Sequence, residues 1–148
     1  MQDSGLGNII GPELEKSGLP LIVIAFLIAI LVRASVGSSI VAMTMASGIM
    51  ATMPAVMDTS MLYRAAMCCA ICGGATALSH ENDAGFWLLS SFLGIDEKTT
   101  LKSWSVMETI IGIASLVVSL VISIFAVLKT KFIKNPRFTM LLDNKRAL

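Results

Sequence analysis

From Thr109 to Leu128 the chain runs for 20 residues without a formal charge. A helix rises about 1.5 Å per residue, so such a run covers the ~30 Å hydrocarbon thickness of a bilayer. Ser105 and Glu108 stand just ahead of it with the S-x-x-E spacing of a capping box. Together these features predict a spanning helix over 106–128. Beyond it lie Lys129, Lys131, Lys134, Arg137, Lys145 and Arg146 against one acid, Asp143. That basic excess predicts a cytoplasmic tail over 129–148, because positive charge is retained on that side.

The rest of the chain is similarly poor in charge. Of its 148 residues 55% are hydrophobic and only 14% charged, with mean hydropathy +0.82. Soluble domains carry about 25% charged residues, so the composition places the chain in a membrane. The net charge is +1, and no basic stretch interleaved with aromatics is present, which argues against nucleic acid as a partner. The opening MQDSGLGNIIGPELEKSG is polar, acidic and punctuated by glycine and proline. It lacks the basic start and apolar core of a signal peptide. Residues 1–18 read as an interfacial or loop segment, and residues 19–128 as the membrane domain.

A second spanning helix is expected over 17–36, with Pro20 near its start and Arg33 near its end, either pairing with a carboxylate substrate or, the simpler role, anchoring at the interface. Ala34 to Met57 is uncharged but rich in small and hydroxylated residues, which favour close helix packing in lipid. Gly37-Ser38-Ser39 reads as a helix break there, and Gly73-Gly74 as a second one. Asp58–Arg64 and Asp96–Lys102 read as polar loops, with Trp87 and Trp104 as interfacial anchors flanking the latter. Ala65–Ser79 and Phe86–Gly94 are apolar but too short for comfortable spans. The expected fold is an all-α integral membrane protein, polytopic, with a re-entrant hairpin or discontinuous helix between two full spans.

Between the two short arms lies ALSHENDAGFW, residues 77–87, where His80, Glu81, Asn82 and Asp83 interrupt apolar sequence. Ionisable groups at membrane depth cost about 3 kcal/mol each on insertion scales, so they face a cavity or one another. His80 is the single histidine, and imidazole titrates near neutral pH. On a helical path His80 and Asp83 are three apart and placed to share a proton. Asn82 can both donate to and accept from a hydroxylated solute, and Gly85 lets backbone approach it. The plainer alternative is a solvated loop between helices, where these charges cost nothing. For Gly37, Ser38 and Ser39 the paired readings are backbone amides aimed at an anion and simple helix packing. Glu108 reads as a helix cap or as a coupling acid.

Cys68, Cys69 and Cys72 lie in an apolar helical run with no second ligand pair, which argues against a metal site. Ser79, His80 and Asp83 contain the residue types of a hydrolase triad. Residues so close in sequence do not converge in that geometry, and no G-x-S-x-G elbow is present. No enzyme and no cofactor follow.

Three motifs carry a family resemblance. Gly37–Ala42, GSSIVA, resembles the GSATVA-type motif of the gluconate permease family. Ser79–Trp87, SHENDAGFW, resembles its SHVNDAGFW motif, and Thr100–Ile110, TLKSWSVMETI, resembles TLKTWTVMETI ahead of its last helix. Glu81 departs from the pattern, standing where the family carries an apolar residue, usually valine. The match covers roughly residues 3–128, and the chain resembles the C-terminal third of the family's length.

The resemblance implies proton symport of gluconate, or a related sugar acid or small polar acid, across a bacterial inner membrane. It implies a fold like one repeat of an ion-transporter architecture. Substrate would meet Gly37, Ser38, Ser39, Ser79, Asn82 and Gly85; His80 and Asp83 would handle the proton; a complementary N-terminal permease chain would be a partner. The alternative is a truncated, non-transporting membrane fragment that only inserts or associates with other membrane proteins.

Overall fold

Leu21–Val36 forms the first helix, α1, and its run of aliphatic side chains is interrupted by one charge, Arg33. The computed structural model describes residues 18–133. The readings of residues 1–17 and of the tail beyond Ile133 lie outside the described residues. After α1 come α2 (Ser39–Ala51), the short α3 (Pro54–Met57), α4 (Met61–Thr76) and α5 (Ala84–Leu93). A one-turn α6 (Glu97–Thr100) passes through a π-helical turn (Leu101–Ser105) into α7 (Val106–Ile133). The described residues are all-helical.

Among the described residues one helical stretch, Glu97–Phe132, is long and apolar enough to cross a membrane. The expected span over 106–128 lies inside it. The expected span over 17–36 does not reach full length as a helix: α1 has 16 residues, short of the ~20 a span needs. Proline at position 20 holds an extended ψ of 136° and starts the helix late. Glu97–Lys102 is helical rather than a loop; Asp96 stands at the N-cap position of α6 without a side-chain capping bond, and its carboxylate accepts from Thr99 Oγ1 at 2.5 Å. That bond holds the exposed Asp96 carboxyl below its ordinary range.

Gly37 breaks the chain as expected, at φ 73°. Gly73-Gly74 does not. Both glycines lie within α4, where they serve close packing. A β-carbon on Gly73 would stand 2.6 Å from Ser115 Cβ on α7, and one on Gly74 would stand 2.5 Å from the Phe26 carbonyl oxygen on α1. Opposite them, a β-carbon on Gly112 would stand 2.7 Å from Ala77 Cβ. Missing side chains thus let α4 lie against α1 and α7 at once, as small residues do in helix bundles within lipid.

The core lies where α1, α2 and α4 meet. Ile22, Ala25, Phe26 and Ala29 of α1 meet Ala66, Met67, Ala70 and Ile71 of α4, with Ala42, Ala46 and Met50 of α2 completing it. Ser115 Oγ donates to the Cys69 carbonyl at 2.9 Å and adds a polar tie between α4 and α7. The second break falls after α4, over Ala77–Asp83. Leu78 adopts φ 57° there, a left-handed conformation that costs a leucine about 1–2 kcal/mol. Helices α4 and α5 do not pack side by side across this break. Phe92 and Leu93 on α5, and Ile113, Val117, Ile124 and Phe125 on α7, face outward.

Candidate functional site

The two breaks meet. Arg33 lies in the last turn of α1, and the left-handed Gly37 ends that helix by donating its N–H to the Arg33 carbonyl at 2.8 Å. The Arg33 side chain turns inward and is 2% exposed. Its Nη1 donates to the Gly37 carbonyl at 2.9 Å, and its Nη2 donates to Asp83 Oδ2 at 2.5 Å. One guanidinium therefore ties the end of α1 to the start of α5. Arginine suits the role because its planar fork presents several donors in fixed directions.

Asp83 is the N-cap of α5. Its Oδ1 accepts from the Gly85 N–H at 3.0 Å, and its Oδ2 also accepts from Ser79 Oγ at 2.6 Å. The carboxylate is buried yet fully supplied with donors, as a buried charge must be. A second acid approaches from α7: Glu108 Oε2 lies 3.7 Å from the same Arg33 Nη2. That oxygen is buried and accepts no hydrogen bond. Thr109 Oγ1 fixes the same region by accepting from the Leu78 N–H at 3.4 Å.

Of the residues expected to bind substrate, Gly37, Ser79, Asn82 and Gly85 are brought together. Asn82 contributes backbone: its carbonyl packs on Gly37, while the residue itself is exposed. A β-carbon on Gly85 would meet the Asp83 carboxylate at an ordinary 3.5 Å, so the position tolerates glycine without requiring it. Ser38 and Ser39 open α2 beside the junction, half-buried, and the Ser38 side chain makes no capping bond.

His80 takes a different place from the one expected. Its Nε2 lies 3.1 Å from the Ala34 carbonyl, which only accepts, so that nitrogen donates. Side-chain sharing between His80 and Asp83 is not seen; the two are joined through backbone, Asp83 N–H to His80 carbonyl, at 2.8 Å. The Asp83 carboxylate is occupied by Arg33, Ser79 and Gly85 instead.

Two members of the cluster were read differently from sequence. Arg33 is a buried bridge, not an interfacial anchor. Glu108 is not a cap, because the helix already runs from Glu97 and the Ser105 hydroxyl sits inside it, buried and without a partner. The signal for Arg33 was its four-residue spacing from Gly37, which sets a side chain over a helix end. Trp87 Nε1 donates to the Glu81 carbonyl at 2.7 Å and braces the second break. Cys68, Cys69 and Cys72 are exposed free thiols, and no cluster of metal-ligating side chains occurs among the described residues.

Comparison with known families matches residues 1–125 to the GntP family permease. The chain belongs to the GntP permease family. That is a family of transporters rather than of enzymes, and membership makes this chain a membrane protein. Among curated relatives, the low-affinity gluconate transporter of Escherichia coli (strain K12) is 40% identical over 119 residues, or 80% of this chain and 27% of the relative. A high-affinity gluconate transporter of the same strain is 31% identical over 127 residues, covering 84% of this chain and 28% of the relative. The gluconate permease of Pseudomonas aeruginosa is 34% identical over 121 residues, covering 82% and 26%. The chain thus spans about a quarter of the length of the curated relatives it matches. No solved structure matches the chain.

Proposed function

We propose that this chain supplies part of a secondary transporter for gluconate, or a related sugar acid or small polar acid, driven by proton symport across a bacterial inner membrane. The observation that carries the proposal is the meeting of the Gly37–Ser39 break with the Ser79–Asp83 break around one buried guanidinium. Broken helices are where transporters place substrate and coupling ions, because unpaired backbone groups at membrane depth must face a cavity. The N-termini of α2 and α5 flank the junction, and helix N-termini favour anions. An acidic solute would engage Ser38 and Ser39 at one break and Ser79, Asn82 and Gly85 at the other, with Gly37 allowing close approach. Asp83 and His80 would handle the proton at the second break. In this reading the chain forms most of one repeat of an ion-transporter architecture, crosses the membrane several times and leaves its basic end in the cytoplasm. Alternating access would follow from rearrangement of the two breaks relative to α7.

A second reading starts from the outward apolar faces of α5 and α7. In it the chain is a membrane fragment that inserts and associates with other membrane proteins without transporting. Labelled gluconate uptake into vesicles separates the two. Uptake by the chain alone, or only with the N-terminal portion of a GntP permease co-expressed, supports transport. No accumulation in either setting supports the fragment.

A further inference from the structure

Arg33 has two carboxylates within reach and satisfies one of them. Asp83 takes the guanidinium at 2.5 Å, the Ser79 hydroxyl at 2.6 Å and the Gly85 N–H at 3.0 Å. Glu108 Oε2 stands 3.7 Å from the same Nη2, buried, with no hydrogen bond. With both acids ionised the cluster carries one uncompensated negative charge in a site removed from water. Ionising an acid with a buried oxygen that has no donor is costly, and two carboxylates sharing one site do not readily both stay ionised.

We infer that Glu108 is a further proton-carrying residue of this site, beside those of the second break, neutral while Asp83 holds Arg33 and ionised when that pair opens. The inference deepens the proton-coupled reading above and rests on it for its role in transport. The balance is simple. An O–H bond forms on the Glu108 carboxyl with a proton taken from water, and the cluster goes from one negative charge to none. On release the proton returns to water, and the Glu108 carboxylate competes with Asp83 for Arg33. Because Asp83 caps α5 and Arg33 closes α1, that competition acts on both breaks. Proton occupancy on α7 is thereby read out at the residues proposed to meet the solute.

The groups facing Glu108 are Arg33 from α1 and Asp83 and Ser79 from the second break. His80 of that break is turned to the Ala34 carbonyl. On Glu108's own helical stretch, Lys102 is exposed.

The test is infrared difference spectroscopy of the full chain in lipid at neutral pH, following the C=O stretch of protonated carboxylic acids. Wild type should show one such band. Glu108→Gln should abolish it, while Glu81→Gln and His80→Ala should keep it. Asp83→Asn should also abolish it, since Glu108 then becomes the sole acidic partner of Arg33 and ionises. This second variant carries the test if Glu108→Gln loses its helical circular dichroism. A wild-type chain without the band, or a band that survives Glu108→Gln, overturns the inference whatever the chain transports. A Glu108 band that changes on adding gluconate supports both the inference and the transport reading. A Glu108 band indifferent to gluconate supports the proton site and removes gluconate from it.

Discussion

A β-carbon on Gly37 would lie 2.1 Å from the backbone oxygen of Asn82. The two breaks are in such contact that no side chain fits between them. Gly37 also holds φ 73°, which costs a residue with a β-carbon about 1–2 kcal/mol before any clash. Gly37→Ala should lower stability by about 3 kcal/mol or more once overpacking is added. Thermal unfolding in detergent measures it; an unchanged midpoint would mean that the breaks do not touch.

Removing Arg33 should be severe. Arg33→Met leaves Asp83 and Glu108 without their shared cation, a loss of about 3–5 kcal/mol for a broken buried pair. Asp83→Asn in the same chain should restore part of it, because the stranded charge is gone. Arg33→Lys keeps the charge but not the fork that spans Gly37 and Asp83, so it should fall between. Unfolding midpoints of the single and double variants give the coupling.

Glycines on different faces should respond with opposite sign. Gly112→Ala presses a methyl group against Ala77 Cβ at 2.7 Å and should destabilise by about 1–3 kcal/mol. Gly48 lies within α2 with nothing inside 4 Å of a β-carbon. Gly48→Ala should therefore stabilise, by about 0.5–1 kcal/mol from helix preference alone. The same sign at both positions would show that helix preference, not packing against α4, governs Gly112.

Ser38→Ala combined with Ser39→Ala should weaken gluconate binding about tenfold, the loss of roughly one or two hydrogen bonds, with little change in unfolding midpoint. Equilibrium binding to reconstituted protein reads this directly. Unaltered affinity would return both hydroxyls to helix packing.

His80→Ala, in a setting where uptake occurs, should reduce proton-driven accumulation more than gluconate exchange. Accumulation at the wild-type level would leave His80 as a brace on the Ala34 carbonyl and no more.

Much of the fold was legible because charge is so scarce. The uncharged run to Leu128 located α7, and Gly37 located the first break, since a left-handed end selects glycine. Gly73-Gly74 misled for the converse reason. A glycine that permits a bend and one that permits contact look alike until the neighbouring helix is in place. The same limit applies to the charges. Arg33 lies near the end of an apolar run, where a snorkelling anchor also sits. Only the return of Asp83, fifty positions later, turns it inward. Glu108 was disguised by Ser105, because local spacing mimics a cap when the helix in fact begins earlier. The local pairings expected at His80–Asp83 and Ser105–Glu108 do not form, and the pairing that does form needed two remote bends to meet.

Gly73 and Gly74 are successive residues of α4, yet the first packs against α7 and the second against α1. The girth of α4 at that level therefore acts as a spacer between the helix that brings Glu108 and the helix that brings Arg33. Thickening it by a single methyl on either residue would widen the interval the second carboxylate must cross, and so retune the protein's appetite for protons from two turns away.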